Sequence, residues 1–109
     1  MSMKYNHIKV QFVGSFTGVP VNESSTVQDV VEYILDKNEI SLRYSSLCTL
    51  LYIDKSMVSY PLLHNELIAD VFEKLPSDAP NEVHFRVLAI PMDEEIANLE
   101  PNFVELLYN

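Results

Sequence analysis

From His7 to Val13 the chain alternates, with Ile8, Val10 and Phe12 on one face and His7, Lys9 and Gln11 on the other. This period-two pattern predicts a strand with one face buried. Gly14-Ser15 supplies a two-residue turn in which Gly takes positive φ, and Phe16 to Val21 reads as the returning strand. Pro20 has no N–H to give to a ladder, which puts this second strand at a sheet edge.

The period then lengthens to that of a helix. Ser25 or Thr26 can cap it, with Gln28 and Asp29 three residues after each as capping-box partners. Val27, Val30, Val31, Ile34 and Leu35 follow as one apolar stripe. Asp29 in the first turn and Lys37 in the last both suit the helix dipole, and Asn38 suits the left-handed conformation that ends a helix. Val30→Asp is expected to unfold the domain.

Leu47 to Ile53 is an apolar run of strand length, and an irregular stretch starts at Tyr60-Pro61. Ile68 to Leu75 holds a short helical turn, with Val71 and Phe72 closing the core. Glu82 to Ile90 alternates again, placing Val83, Phe85, Val87 and Ala89 inward and His84, Arg86 and Leu88 outward. Pro91 ends this last strand. After Pro101, the residues Phe103, Val104, Leu106, Leu107 and Tyr108 have helical spacing. The chain thus divides into a body, residues 1–91, and an acidic linker with a terminal helix, residues 92–109.

The length of 109 residues suits one domain, and a hydrophobic content of 48% is that of a globular chain. No apolar run approaches the roughly 18 residues of a membrane span, and the first six residues lack the apolar stretch of a secretion signal. The cytosol is the default location, in keeping with a single cysteine, Cys48. Asn22-Glu23-Ser24 matches a glycosylation acceptor but reads as a polar loop in that compartment. Sixteen acidic against seven basic residues give a formal charge of −9, which disfavours nucleic acid and anionic membranes as partners. Asp93, Glu94, Glu95, Glu100 and Glu105 all follow Pro91, a stretch with no basic residue, so the body is only mildly acidic.

No catalytic or metal-binding constellation accompanies this pattern. His7, His64 and His84 lack the close Cys, His or carboxylate spacing of a metal site. Gly14 and Gly18 are the only glycines, too few for a phosphate-cradling loop. Asp93-Glu94-Glu95 lacks the alternating ligands and central Gly of a calcium loop. Cys48 reads as a small buried thiol, because no activating base lies near it in sequence. The reading is of a non-enzyme without cofactor.

The run Ser25-Thr26-Val27-Gln28-Asp29-Val30-Val31, the third strand from Leu47 to Asp54, and Val83-His84-Phe85-Arg86-Val87 followed by Pro91 and an acidic linker resemble the first, ubiquitin-like lobe of a FERM domain. In that family the linker leads into a helix similar to Phe103-Val104-Glu105-Leu106-Leu107-Tyr108, which opens the next lobe. Tyr60-Pro61-Leu62-Leu63 stands where a Trp-Leu pair is common. The resemblance implies an α+β, ubiquitin-like β-grasp, with a mixed sheet of about five strands packed on one main helix. It further implies a scaffolding and protein-binding lobe of a larger regulatory or cytoskeleton-linked protein, held at the cytoplasmic side of a membrane through that protein. Ras-association domains share the fold, and binding to an activated small GTPase is the alternative, although only Lys9, Lys4 and Lys37 are available for the acidic switch region. A conjugated modifier would end in Gly-Gly where this chain has Tyr108-Asn109, which leaves a free-standing, non-conjugated ubiquitin-like adaptor as a third reading.

In the β-grasp topology the first and last strands are parallel neighbours, so their outward residues combine. Lys9, Gln11, His84, Arg86 and Leu88 would form a patch with two bases and no acid, suited to an acidic partner segment or a neighbouring lobe. The terminal helix is a second candidate contact through Phe103, Leu106 and Leu107. A helix this short is not stable alone, so it folds back, pairs with another copy or begins a further lobe.

Overall fold

The computed structural model describes residues 7–74, 82–89 and 99–107. Lys4, Leu75, Ile90, Pro91, the triplet Asp93-Glu94-Glu95 and Tyr108, on which some of the expectations above fall, lie outside the described residues.

Alternation in the first segments produces a hairpin, β1 (His7–Phe12) and β2 (Ser15–Pro20), in which Ile8, Val10 and Val19 are buried. Phe12 pairs with Ser15, so the two turn residues are Val13 and Gly14, one position earlier than expected. Their φ angles of 48° and 79° give the mirror-image turn that a right-twisted hairpin requires. The second strand shifts with the turn, starting at Ser15 and ending at Pro20.

Helix α1 (Val27–Lys37) begins at Thr26, whose hydroxyl accepts the Asp29 N–H at 3.1 Å while the Asp29 carboxylate accepts the Thr26 N–H at 3.0 Å. Two more N-terminal amides are satisfied by a loop, the Val27 N–H by Glu66 O at 2.9 Å and the Gln28 N–H by His64 O at 3.0 Å. All five stripe residues are buried. At the other end the left-handed residue is Glu39 (φ 59°) and not Asn38, which has φ −101°. Glu39 and Ile40 donate to Asp36 O and Leu35 O, at 3.1 and 2.9 Å, and bury Ile40 in a Schellman closure. Asn38 is drawn inward instead, its Nδ2 donating to Ile34 O at 2.7 Å.

A 3-10 helix, Leu42–Leu47, precedes β3 (Cys48–Ile53), which therefore starts one residue later than expected. The stretch at Tyr60-Pro61 is ordered as a third-to-fourth strand pairing, with β4 (Ser59–Pro61) antiparallel to β3. A three-residue strand containing proline is too short to show a period, and its partner strand supplies the order. Helix α2 (Ile68–Glu73) buries Ile68, Val71 and Phe72. Strand β5 (Glu82–Val87) buries Val83 and Phe85, whereas Ala89, expected inward, is exposed beyond the strand's end. Helix α3 (Pro101–Leu107) closes the described chain.

The sheet order is β2-β1-β5-β3-β4, with β1 and β5 parallel and the other neighbours antiparallel. Pro20 accordingly lies on an edge strand. One sheet face carries Ile8, Val10, Val19, Leu50, Val83 and Phe85 into a common core with the α1 stripe, Tyr44, Leu99 and Phe103. Among the described residues no helix is long and apolar enough to cross a membrane.

Candidate functional site

The second sheet face is set by register. Lys9 stands opposite Glu82 and Gln11 opposite His84 across the parallel pair, while His84 and Arg86 stand opposite Leu51 and Thr49 of β3. Residues facing each other across a ladder share a sheet face. Lys9, Gln11, His84 and Arg86 are thus brought together as the alternation implied. The patch is not free of acid, however. Glu82 has the parity of His84 and Arg86 and sits directly across from Lys9, so one end of the face is charge-balanced. The signal was in the sequence, two residues before His84. Leu88 lies just past β5, 62% exposed, with its N–H held by Leu47 O at 2.7 Å.

The imidazole of His84 is half-buried, and its Nδ1 is enclosed without a hydrogen-bond partner. Burial, and next to it the Arg86 guanidinium, hold its pKa below the ordinary histidine value, with Glu82 opposing them. The positive charge of the face therefore rests on Lys9 and Arg86. Among the described residues no carboxylate lies within ion-pair distance of either. Arg86 Nη1 donates to the Phe85 carbonyl at 3.1 Å, leaving most of the guanidinium donors facing outward.

Beside Arg86 the face runs into an open cleft of about 630 Å³. Its walls are Phe12 and Phe85, the Val13-Gly14 turn, Leu88 and Ala89, and Leu106 with Leu107 of α3. Phe12 and Phe85 meet edge to face, with centroids 5.2 Å apart and planes at 81°. Sequence reasoning did not find this cleft, because three remote segments assemble it.

Of the candidate contacts on α3, Phe103 is wholly buried in the chain's own core and is not a surface residue. Leu106 and Leu107 are half-buried and pack on that core from the cleft side. The segment folds back on the domain: Asn102 Nδ2 bridges the Asn38 and Glu39 carbonyls at 3.3 and 3.2 Å, and the Glu100 carboxylate lies 3.6 Å from Arg43 Nε.

Elsewhere the reactive residue types have structural settings. Burial pushes the Cys48 thiol up to about 12, which keeps it protonated and non-nucleophilic. His64 Nε2 meets the Cys48 carbonyl. Asp54 accepts N–H bonds from Ser56 and Val58 and the Tyr60 hydroxyl, at 2.8, 2.9 and 3.0 Å, and so shapes the β3–β4 turn. Among the described residues no three His, Cys, Asp or Glu side chains converge to hold a metal ion.

No family model matches the chain, and no curated protein matches it in sequence. Solved structures do match in shape. The FERM and C-terminal domain complex of Drosophila Merlin superposes with a TM-score of 0.71 at 15% identity, over 95% of this chain and 34% of that one. The Dictyostelium discoideum myosin VII MyTH4-FERM structure gives 0.75 at 16% identity, over 94% of this chain and 23% of that one. The RA domain of a guanine nucleotide exchange factor for Rap1 gives 0.57 at 16% identity, over 79% of this chain and 75% of that one. The chain has the ubiquitin-like β-grasp fold, and it spans about a third or less of the FERM-containing chains it resembles.

Proposed function

We propose that this chain is a non-catalytic protein-interaction module, the ubiquitin-like lobe of a larger FERM-like regulatory or cytoskeleton-linked protein on the cytoplasmic side of a membrane. The observation that carries the reading is the extent of the likeness. Two FERM-containing structures superpose on 94–95% of the chain with TM-scores of 0.71 and 0.75 and a third on 74% with 0.62, whereas the RA domain gives 0.57 over 79%. Its binding surface is the outer face with Lys9, Gln11, His84, Arg86 and Leu88, and it takes an acidic protein segment, since this face of a chain of charge −9 carries Lys9, opposite Glu82, and Arg86, which has no carboxylate within ion-pair distance among the described residues. Titrating the isotope-labelled chain with a carboxylate-rich peptide should shift amides of β1 and β5. Charge reversal by Lys9→Glu with Arg86→Glu should abolish the shifts while leaving thermal stability nearly unchanged, as expected for exposed positions. Binding that survives the double reversal removes the reading.

A second reading is Ras-association-like binding of an activated small GTPase by strand addition. The feature in its favour is β2, an edge strand without a single charged side chain, on which Phe16 is 56% exposed and Gly18 stands opposite Lys9. GTP-dependent binding that Lys9→Glu abolishes supports it, and no binding across a panel of active GTPases ends it.

A further inference from the structure

The cleft beside Arg86 has no role in the readings above, yet it is continuous with the proposed surface. Gln11, Arg86 and Leu88 belong to both the outer face and the cleft wall. We propose that the cleft is the anchor socket of that surface. The partner is then a short segment in which an apolar side chain of leucine or phenylalanine size enters between Phe12, Phe85, Leu88 and Leu106–Leu107 while flanking carboxylates meet Arg86 and Lys9. The inference rests on the outer-face reading and deepens it by stating what the partner must carry.

Three observations support an acidic–apolar segment as the occupant. The volume of about 630 Å³ lies within the range of roughly 300–1,000 Å³ typical of ligand-binding pockets. Most of the residues that line it have apolar side chains, with Arg86 and Gln11 as the polar ones, while its exposed wall divides nearly evenly between polar and apolar atoms, so it offers room for one apolar group beside one anionic group. Charge favours an acidic segment at this place, because carboxylates are repelled by most of a chain of charge −9 and attracted at Arg86, which has no carboxylate within ion-pair distance among the described residues, whereas Lys9 is faced by Glu82 across the ladder. The rim also holds Val13, a β-branched residue 49% exposed at φ 48°. That backbone is unfavourable for valine, and it keeps an apolar side chain at the mouth.

The test compares two synthetic dodecapeptides with four carboxylates each, one with a central Leu-Phe pair and the other with Ser-Ser in its place, titrated into the isotope-labelled full chain. The Leu-Phe peptide should bind at least about tenfold more tightly, the gain expected for burying one large apolar side chain, with amide shifts at Val13, Leu88, Leu106 and Leu107. Leu88→Ser should cancel the advantage of the Leu-Phe peptide over the Ser-Ser peptide, and thermal denaturation of this exposed-site variant should match the parent. Arg86→Glu should weaken both peptides. Equal affinities with Arg86 dependence overturn the socket and leave the outer-face reading standing. Absence of binding by either peptide overturns both. A Leu-Phe advantage that Leu88→Ser leaves intact places the apolar group elsewhere and overturns the socket.

Discussion

The ring of Phe103 lies flat on the ring of Tyr44, with centroids 4.0 Å apart and planes within 5° of parallel. The Arg43 guanidinium is 4.4 Å from the centroid of the Tyr44 ring, and the Tyr44 hydroxyl accepts the Glu100 N–H at 3.2 Å. Residues of the 3-10 helix thus hold the last described helix in place. Phe103→Ala should cost about 3–5 kcal/mol, as a large aromatic lost from a packed core does. Arg43→Ala should cost about 1 kcal/mol or less, because its contacts are partly exposed. Equilibrium urea unfolding of both variants checks the ordering, and a Phe103→Ala chain as stable as the parent would mean that α3 is not part of the core.

Val13 and Glu39 are both non-glycine residues at positive φ, yet they should respond differently to relief of that strain. Val13→Asn gives the Asn-Gly pair favoured in this turn and should raise stability by about 1 kcal/mol. It should also weaken the Leu-Phe peptide, because the apolar rim is lost. Glu39→Gly should stabilise by a similar amount through the left-handed helix cap and leave peptide affinity alone. Thermal melts and titrations of the two variants, run in parallel, separate strain kept for folding from strain kept at the cleft.

Cys48 should resist alkylation at pH 8 in the folded chain and react only as fast as the chain opens. Its thiol pKa rises from 9.0 to about 12 through burial. A raised pKa in the folded state means stability that is complete below the ordinary thiol value and lost as pH climbs toward the folded value. The parent should therefore lose stability relative to Cys48→Ala above pH 9, by up to about 1.4 kcal/mol per pH unit. Urea unfolding of both proteins from pH 8 to 10.5 provides the comparison.

Asp54 should organise its turn in a pH-dependent way. The Val58 N–H, with the Tyr60 hydroxyl and the Ser56 N–H, lowers its pKa against a desolvation effect that raises it. A depressed carboxylate stabilises above the ordinary carboxylate range, and the contribution disappears as pH falls through the folded value. Hydrogen-exchange protection of the Ser56 and Val58 amides should drop in that acid range. Asp54→Ala should remove the protection at every pH, whereas Tyr60→Phe should remove only part of it.

Legibility in the sequence followed how local each determinant is. Helix α1 could be read to within one residue at its start, with Ser25 and Thr26 as the two candidate caps, because the capping box and the stripe lie within one segment and repeat one message. Its end could not, since Asn38 finds Ile34 O and leaves the left-handed position to Glu39. The turn was misplaced because residue preference points to Gly14-Ser15, while pairing along the whole hairpin puts valine at positive φ. Strand β4 exists through its partner. The outer face was legible from parity alone, and Glu82 obeys the same parity. Nothing local links Tyr44 to Phe103, or Val13 to Leu107, and so neither the docking of α3 nor the cleft could be read before the chain was folded.

Strand β5 occupies the middle of the sheet, between β1 and β3. During synthesis it follows every other strand out of the ribosome, and until it arrives the hairpin β1–β2 and the pair β3–β4 each keep an open inner edge. Joining them requires contacts between residues far apart along the chain, which slows closure. A nascent or truncated chain ending before residue 82 therefore presents two adhesive ladders where the finished sheet has them joined, and aggregation or recruitment of chaperones should concentrate in that interval.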